Sequence, residues 1–98
     1  MDIAERNAHE YVGIWVHGFD NSFVKFKIRR HTPLRILMET YCQMHRLDKA
    51  RVRFLFDGRI IVDADTLSSL EIEENDTIEV FREQTSEPRH YFLLYYSI

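Results

Sequence analysis

One stretch of this chain carries a clear helical pattern, and alternating segments lie on both sides of it. Between Thr32 and Met44, residues Leu34, Leu37, Met38, Tyr41 and Cys42 recur at the spacing that gives a helix one apolar face. Thr32 offers a hydroxyl for the N-cap, and Pro33 suits the first helical position because its missing N–H would have no partner there. A helix starting at Pro33 is therefore predicted. A lone helix with one apolar face needs a sheet to cover that face.

The flanking segments supply the sheet. Val12, Ile14 and Val16 alternate with Tyr11, Gly13 and Trp15, which predicts a strand with an aliphatic inner face and places Trp15 on the other. Gly18, Asp20 and Asn21 provide turn residues, and Val24, Phe26 and Ile28 then alternate with Phe23, Lys25, Lys27 and Arg29, so the pair reads as an antiparallel hairpin. After the helix, Val52, Phe54 and Phe56 mark a third strand. Asp57-Gly58 suits a type I′ turn, whose two central positions need φ > 0, and Arg59 to Val62 reads as a short return strand. Asp65 to Leu70 reads as a short helical turn with Leu67, Leu70 and Ile72 inward, and Ile78 and Val80 mark the last strand. The order strand, strand, helix, strand, short strand, short helix, strand is that of an α+β, ubiquitin-like β-grasp, a mixed sheet wrapped around one main helix. Residues 1–10 are read as a flexible tail, 11–83 as the domain and 84–98 as an atypical hydrophobic tail.

Composition limits the remaining choices. The chain has 98 residues, enough for one core, and 45% of them are hydrophobic against 30% charged, an ordinary globular balance. Cys42 is the sole cysteine, which excludes an internal disulfide, and no leader pattern opens the chain, so nucleus and cytoplasm are the expected compartments. The apolar run Tyr91 to Tyr96 falls far short of the roughly 20 residues that span a bilayer. The segment Lys25 to Arg53 is strongly basic and Asp57 to Glu79 strongly acidic, which predicts two opposed charged faces able to steer different partners.

Four segments carry a resemblance to a known family. Phe26-Lys27-Ile28-Arg29-Arg30-His31-Thr32-Pro33-Leu34, Tyr41-Cys42-Gln43, Arg53-Phe54-Leu55-Phe56-Asp57-Gly58-Arg59 and the run Asp76 to Thr85 strongly resemble SUMO, the small ubiquitin-related modifier. The resemblance runs from Glu10 to Thr85. It implies a member of the sumoylation pathway that is a binding protein rather than an enzyme, needs no cofactor and works as a monomer. In SUMO the strand ending in Gln-Thr is followed by two glycines, the second of which becomes the reactive terminus. Here Ser86 and Glu87 follow, and no glycine occurs after Gly58. A terminus passing through the narrow channels of activating and conjugating enzymes tolerates neither a Cβ nor a charge there. The expectation is that this sequence is not conjugated.

The resemblance also implies two binding surfaces. The SUMO groove between second strand and helix takes a short hydrophobic peptide as an added strand, with acidic neighbours on a basic rim. Its counterpart here would be Val24, Lys25, Phe26, Lys27, Ile28, Arg29, Leu37, Thr40 and Met44. Strand addition gains affinity from main-chain hydrogen bonds along an open edge. Ile36, Thr40 and Met44 form a row beside the buried helix face where a solvated helix would be mostly charged, which points to a covering partner. Met44 and Ile36 are more apolar than the family's usual residues, so the groove is expected to be greasier. The plainer alternative is that Val24, Phe26, Ile28 and Leu37 are only core. A second surface, which in SUMO docks on the conjugating enzyme, would comprise Asp57, Gly58, Glu73 and Asp76; a merely solvated acidic turn is the alternative. SUMO-activating enzymes and SUMO proteases are further implied partners.

Other chemistry finds little support in the sequence. Cys42 and His45 lie one turn apart, but such a pair is commonly one core and one surface residue, so no catalytic residue is assigned. The five histidines show no metal-ligand spacing, and no phosphate loop occurs. The basic stretch lacks a reading helix or aromatic stacking platform, so direct nucleic-acid binding is not expected. Lys25, Lys27 and Lys49 lie outside the family's acceptor context, and residues 1–10 contain no lysine for chain building. The apolar tail ending Tyr91-Phe92-Leu93-Leu94-Tyr95-Tyr96-Ser97-Ile98 has no alternating polarity. A return onto the sheet near Trp15, insertion into a partner and an altered reading frame or splice end all remain open for it. A covalent modifier acting through another form or processing route is the alternative to the binding module.

Overall fold

The computed structural model describes residues 10–83. Strand β1 (Tyr11–His17) pairs antiparallel with β2 (Phe23–Arg29), helix α1 spans Leu34–His45, and a 3-10 turn at Lys49–Arg51 leads into β3 (Val52–Phe56). Two further strands follow, β4 (Arg59–Ile60) and β5 (Thr77–Arg82). The sheet order is β2-β1-β5-β3-β4. Its centre is the parallel pair β1 and β5, and the other pairs are antiparallel, so the sheet is mixed and β2 is an edge. With one main helix against this sheet, the architecture is the α+β ubiquitin-like β-grasp.

Strand alternation sets the core. Val12, Ile14 and Val16 of β1, Ile28 of β2, Val52 and Phe54 of β3, and Ile78 and Val80 of β5 are buried on one sheet face. All five residues of the expected helix face, Leu34, Leu37, Met38, Tyr41 and Cys42, are buried against them. Arg46 adopts the left-handed conformation after α1 (φ 55°, ψ 44°), and the Leu47 N–H returns to the Cys42 carbonyl at 2.8 Å. This closes the helix in a Schellman arrangement and turns Leu47 onto the core.

The start of the helix differs from the expectation. Pro33 is the flanking residue with extended ψ (133°), the helix begins at Leu34, and no side chain caps it. Thr32 is therefore not the cap. The first helical amides find partners far along the chain instead: Leu34 N–H donates to the Asp65 carbonyl at 2.7 Å and Arg35 N–H to the Asp63 carbonyl at 3.2 Å. Groups that a cap residue would satisfy are satisfied by tertiary structure.

A second local reading also changes. The return strand stops at Ile60 rather than Val62, because Val62 N–H is taken by the Asp65 carboxylate at 2.8 Å. The segment 65–70 makes one helical turn and goes no further, with Leu70 N–H donating to the Thr66 carbonyl at 3.2 Å. Thr66 and Ser69 exchange backbone-to-hydroxyl hydrogen bonds of 2.9 Å each, and Ser68 N–H donates outward to the Arg30 carbonyl at 3.1 Å. The reciprocal Thr66 and Ser69 bonds cap the start of that turn. Leu67 and Ile72 still reach the core, while Leu70 is only half-buried. At the β3–β4 turn, Asp57 (φ 52°) and Gly58 (φ 79°) both take the positive φ that a type I′ turn demands.

Candidate binding surfaces

The β2 edge can be derived from the other side of β1. Trp15 N–H donates to the Asp76 carbonyl at 2.8 Å, and the Gly13 carbonyl accepts from Asn75 N–H at 2.7 Å. Odd-numbered residues of β1 thus turn their peptide groups towards β5, leaving the even ones to bond β2. Their partners in register are Ile28 for Val12, Phe26 for Ile14 and Val24 for Val16. These three β2 residues spend their peptide groups inside the sheet. Lys25 and Lys27 consequently direct theirs to the open edge. The edge ends at Arg29, whose carbonyl accepts from Thr32 N–H at 3.2 Å.

Side chains along this strip divide into two sets. Val24, Phe26 and Ile28 face the helix, with Ile28 buried and the other two half-buried, and Phe26 lies 6.4 Å from Tyr41 between ring centroids. On α1, Leu37 is buried while Thr40 and Met44 are exposed, as is Ile36. Lys25, Lys27 and Arg29 occupy the outer sheet face, where Arg29 covers Tyr11 at 4.6 Å and Lys25 lies 5.1 Å from the Trp15 ring centroid. The nine residues singled out from the sequence thus form an apolar strip between strand and helix and a basic row on the far side of the same strand. Leu37 and Ile28 belong to the core as well as to that strip.

Asp57, Gly58, Glu73 and Asp76 share one end of the sheet. Leu55 pairs with Glu79, so the turn leaving β3 lies beside the start of β5. Asp57, Gly58 and Glu73 are exposed, whereas Asp76 is half-buried and its carboxylate accepts from Glu73 N–H at 2.8 Å. One of the acidic groups is therefore partly committed to its own turn.

The expected separation into opposed charged faces is only partial, because the fold threads acidic and basic residues together. Lys25 Nζ donates to Asn75 Oδ1 at 2.9 Å beside the acidic turn, Lys49 meets Asp63 at 2.6 Å and Glu39 at 3.8 Å, and Arg53 pairs with Glu83. Lys27 makes no ion pair with another described residue. Its charge is the one in the basic row most available to a ligand.

Cys42 is buried, and burial pushes its thiol above the ordinary range, the wrong direction for a nucleophile. His45 stacks on Tyr41 with centroids 4.2 Å apart. Among the described residues no cluster of side chains could hold a metal ion, and no helix is long and apolar enough to cross a membrane. The positions 1–9 and 84–98, including Ser86 and Glu87, lie outside the described residues.

Sequence reasoning missed the pairing of His17 with Glu79. His17 Nδ1 is 2.7 Å from Glu79 Oε2, and Nε2 is 3.0 Å from Asn21 Oδ1. Both partners accept, so both ring nitrogens are best served by protons, and the hydrogen bonds to Asn21 and Glu79 hold the imidazole pKa above 6.5. The residues are 62 apart in sequence, and only the parallel pairing of β1 with β5 brings them together.

Residues 12–81 match the family model Rad60-SLD, described as "Ubiquitin-2 like Rad60 SUMO-like". Small ubiquitin-related modifier 3 of Gallus gallus is 46% identical over 80 residues, covering 82% of this chain and 85% of that protein. Small ubiquitin-related modifier 2 of Homo sapiens is 47% identical over 77 residues, covering 79% of this chain and 81% of its own length. The strands, the central helix and the matched length agree on one relationship: the chain belongs to the SUMO family of ubiquitin-like proteins.

Proposed function

We propose that this family member serves the sumoylation pathway as a non-enzymatic, non-covalent binding module. Its β2 edge takes a hydrophobic peptide as an added strand, with apolar side chains over Val24, Phe26, Ile28, Leu37, Thr40 and Met44, and acidic neighbours drawn by Lys25, Lys27 and Arg29. The open edge of β2 carries this reading. Two lysines there direct N–H and C=O groups outward beside an apolar strip, and a strand laid on them gains main-chain hydrogen bonds while the alternating side chains select the sequence. Asp57, Gly58, Glu73 and Asp76 form the docking surface for conjugating enzymes. Activating enzymes and SUMO proteases are further partners. The single cysteine fits work in the reducing nucleus and cytoplasm.

Ser86 and Glu87 stand where a conjugated SUMO carries its glycine pair, which argues against covalent attachment of this sequence. The similarity to modifiers favours the second reading, a protein tag joined to lysines through another form or processing route. Incubation with SUMO-activating and conjugating enzymes and ATP separates them, using the full chain and a Ser86→Gly, Glu87→Gly variant ending at position 87. The binding-module reading expects a thioester from the variant alone. A thioester or a lysine adduct from the full chain, releasable by a SUMO protease, would overturn it.

A further inference from the structure

The β1–β2 register gives the basic stretch a neighbourhood that the linear sequence does not show. On the outer sheet face, opposite α1, Tyr11 stands across from Arg29, Gly13 from Lys27, Trp15 from Lys25 and His17 from Phe23. Residues directly opposed in an antiparallel pair share a face, so aromatic and basic side chains interleave over these rows. Tyr11 is 59% and Phe23 57% exposed, and Trp15 is half-buried. Trp15 and Phe23 meet edge-on, 6.4 Å between centroids, and with Thr77 line an open cleft of about 340 Å³. At the other end of the hairpin, Arg29 lies over the Tyr11 ring at 4.6 Å. Lys25, Lys27 and Arg29 make no ion pair with another described residue. Two carboxylates that border the rows already have partners: Glu74 accepts from Gly13 N–H at 2.9 Å, and Glu79 pairs with His17 at 2.7 Å.

We propose that this face of the β1–β2 hairpin binds single-stranded nucleic acid. Unpaired bases stack on aromatic rings and guanidinium planes with little regard to sequence, and a sheet face with exposed aromatics can hold two or three of them. One base enters the cleft between Trp15 and Phe23. Another stacks at Tyr11 and Arg29, four residues or ~13 Å away along β1. Lys25 and Lys27 lie between the two stacking points and neutralise the phosphates that connect the bases. A duplex keeps its base faces inside its own stack and could use only the cations. Because the patch is basic on a chain of net charge −3, binding is strongest at low salt. Three phosphate contacts to a single strand give a slope of about −2 for log affinity against log salt. The site is independent of the function proposed for the β2 edge, since Tyr11, Trp15 and Phe23 face away from the strip between β2 and α1.

Trp15 is the only tryptophan and lines the cleft, so a base stacked there quenches its emission. The full chain is titrated at low salt with a single-stranded oligothymidylate, with a DNA duplex of equal length and with inorganic polyphosphate, following Trp15 emission and the anisotropy of a labelled oligothymidylate. The single strand is expected to bind, to quench Trp15 and to show the salt slope of about −2. Phe23→Ala and Tyr11→Ala are each expected to weaken it roughly tenfold. Both substitutions alter exposed side chains, and circular dichroism verifies that the fold is kept. Neither should change binding of an acidic hydrophobic peptide to the β2 edge, so the two surfaces succeed or fail separately. No binding of the single strand would overturn the proposal. So would equal or tighter binding of the duplex or polyphosphate, or aromatic variants that bind like the parent, since either means attraction by charge alone.

Discussion

Phe26 on β2 and Tyr41 on α1 face each other across the strand-helix strip, with ring centroids 6.4 Å apart and planes inclined by 53°. Tyr41 in turn meets Phe54 of β3 edge-on at 5.7 Å, so the proposed peptide strip is continuous with the core.

That continuity divides the effects of two neighbouring substitutions. Phe26→Ala removes a half-buried ring and should lower stability by about 2 kcal/mol, part of the cost of a fully buried Phe. Lys27→Glu alters an exposed residue and should leave the unfolding free energy within about 0.5 kcal/mol of the parent. Urea denaturation of both variants measures the contrast.

The His17 site makes stability depend on pH. Hydrogen bonds from the ring to Asn21 and Glu79 raise the folded pKa above 6.5. The folded state therefore binds the His17 proton more tightly than the unfolded state does. The resulting stabilisation is fully present below pH 6.5 and is lost as pH rises through the raised folded value. An NMR titration of the imidazole should give a midpoint above 6.5 that falls in Glu79→Gln; a midpoint at or below 6.5 in the parent would contradict the site.

At the head of α1, Thr32 and Asp65 exchange the importance the sequence suggests. Thr32→Ala should change stability by no more than about 0.5 kcal/mol, since its hydroxyl caps nothing. Asp65→Ala should cost about 1 kcal/mol by freeing Val62 N–H and loosening the loop whose carbonyls hold Leu34 and Arg35. Thermal unfolding of the two variants reads the difference.

These cases mark what local pattern conveys and what it omits. The strands were legible because aliphatic residues recur with period two, as in Val12-Gly13-Ile14-Trp15-Val16, and the buried helix face was legible from its 3.6-residue spacing. The helix start was not, because its hydrogen-bond acceptors are the Asp63 and Asp65 carbonyls some thirty residues away. Residues 65–70 were legible as a helical turn; that Leu70 at its end is only half-buried was not. For the binding strip, alternation supplied the residues and their division into an apolar and a basic set, but not that the Lys25 and Lys27 peptide groups face the open edge, which depends on the β1 register.

Gly18 is fixed by packing. It is buried, and a Cβ added there would run into Tyr41 Oη and lie 2.8 Å from Asp20 Oδ1. Tyr41 is wedged between Phe26, Phe54 and His45 and has little room to retreat. Gly18→Ala should therefore destabilise the domain by about 1–3 kcal/mol, measured by urea denaturation.

The central claim is that the β2 edge binds a peptide as an added strand. It is tested most directly by titrating a short hydrophobic peptide with flanking acidic residues into isotopically labelled protein and following the backbone amides by NMR. The largest shifts and slowed hydrogen exchange are expected at Lys25 and Lys27, whose amides point to the open edge, with affinity falling about tenfold in Lys27→Glu, the equivalent of ~1.4 kcal/mol. Shifts confined to the β3–β4 turn or the outer sheet face, or an affinity unchanged in Lys27→Glu, would contradict it.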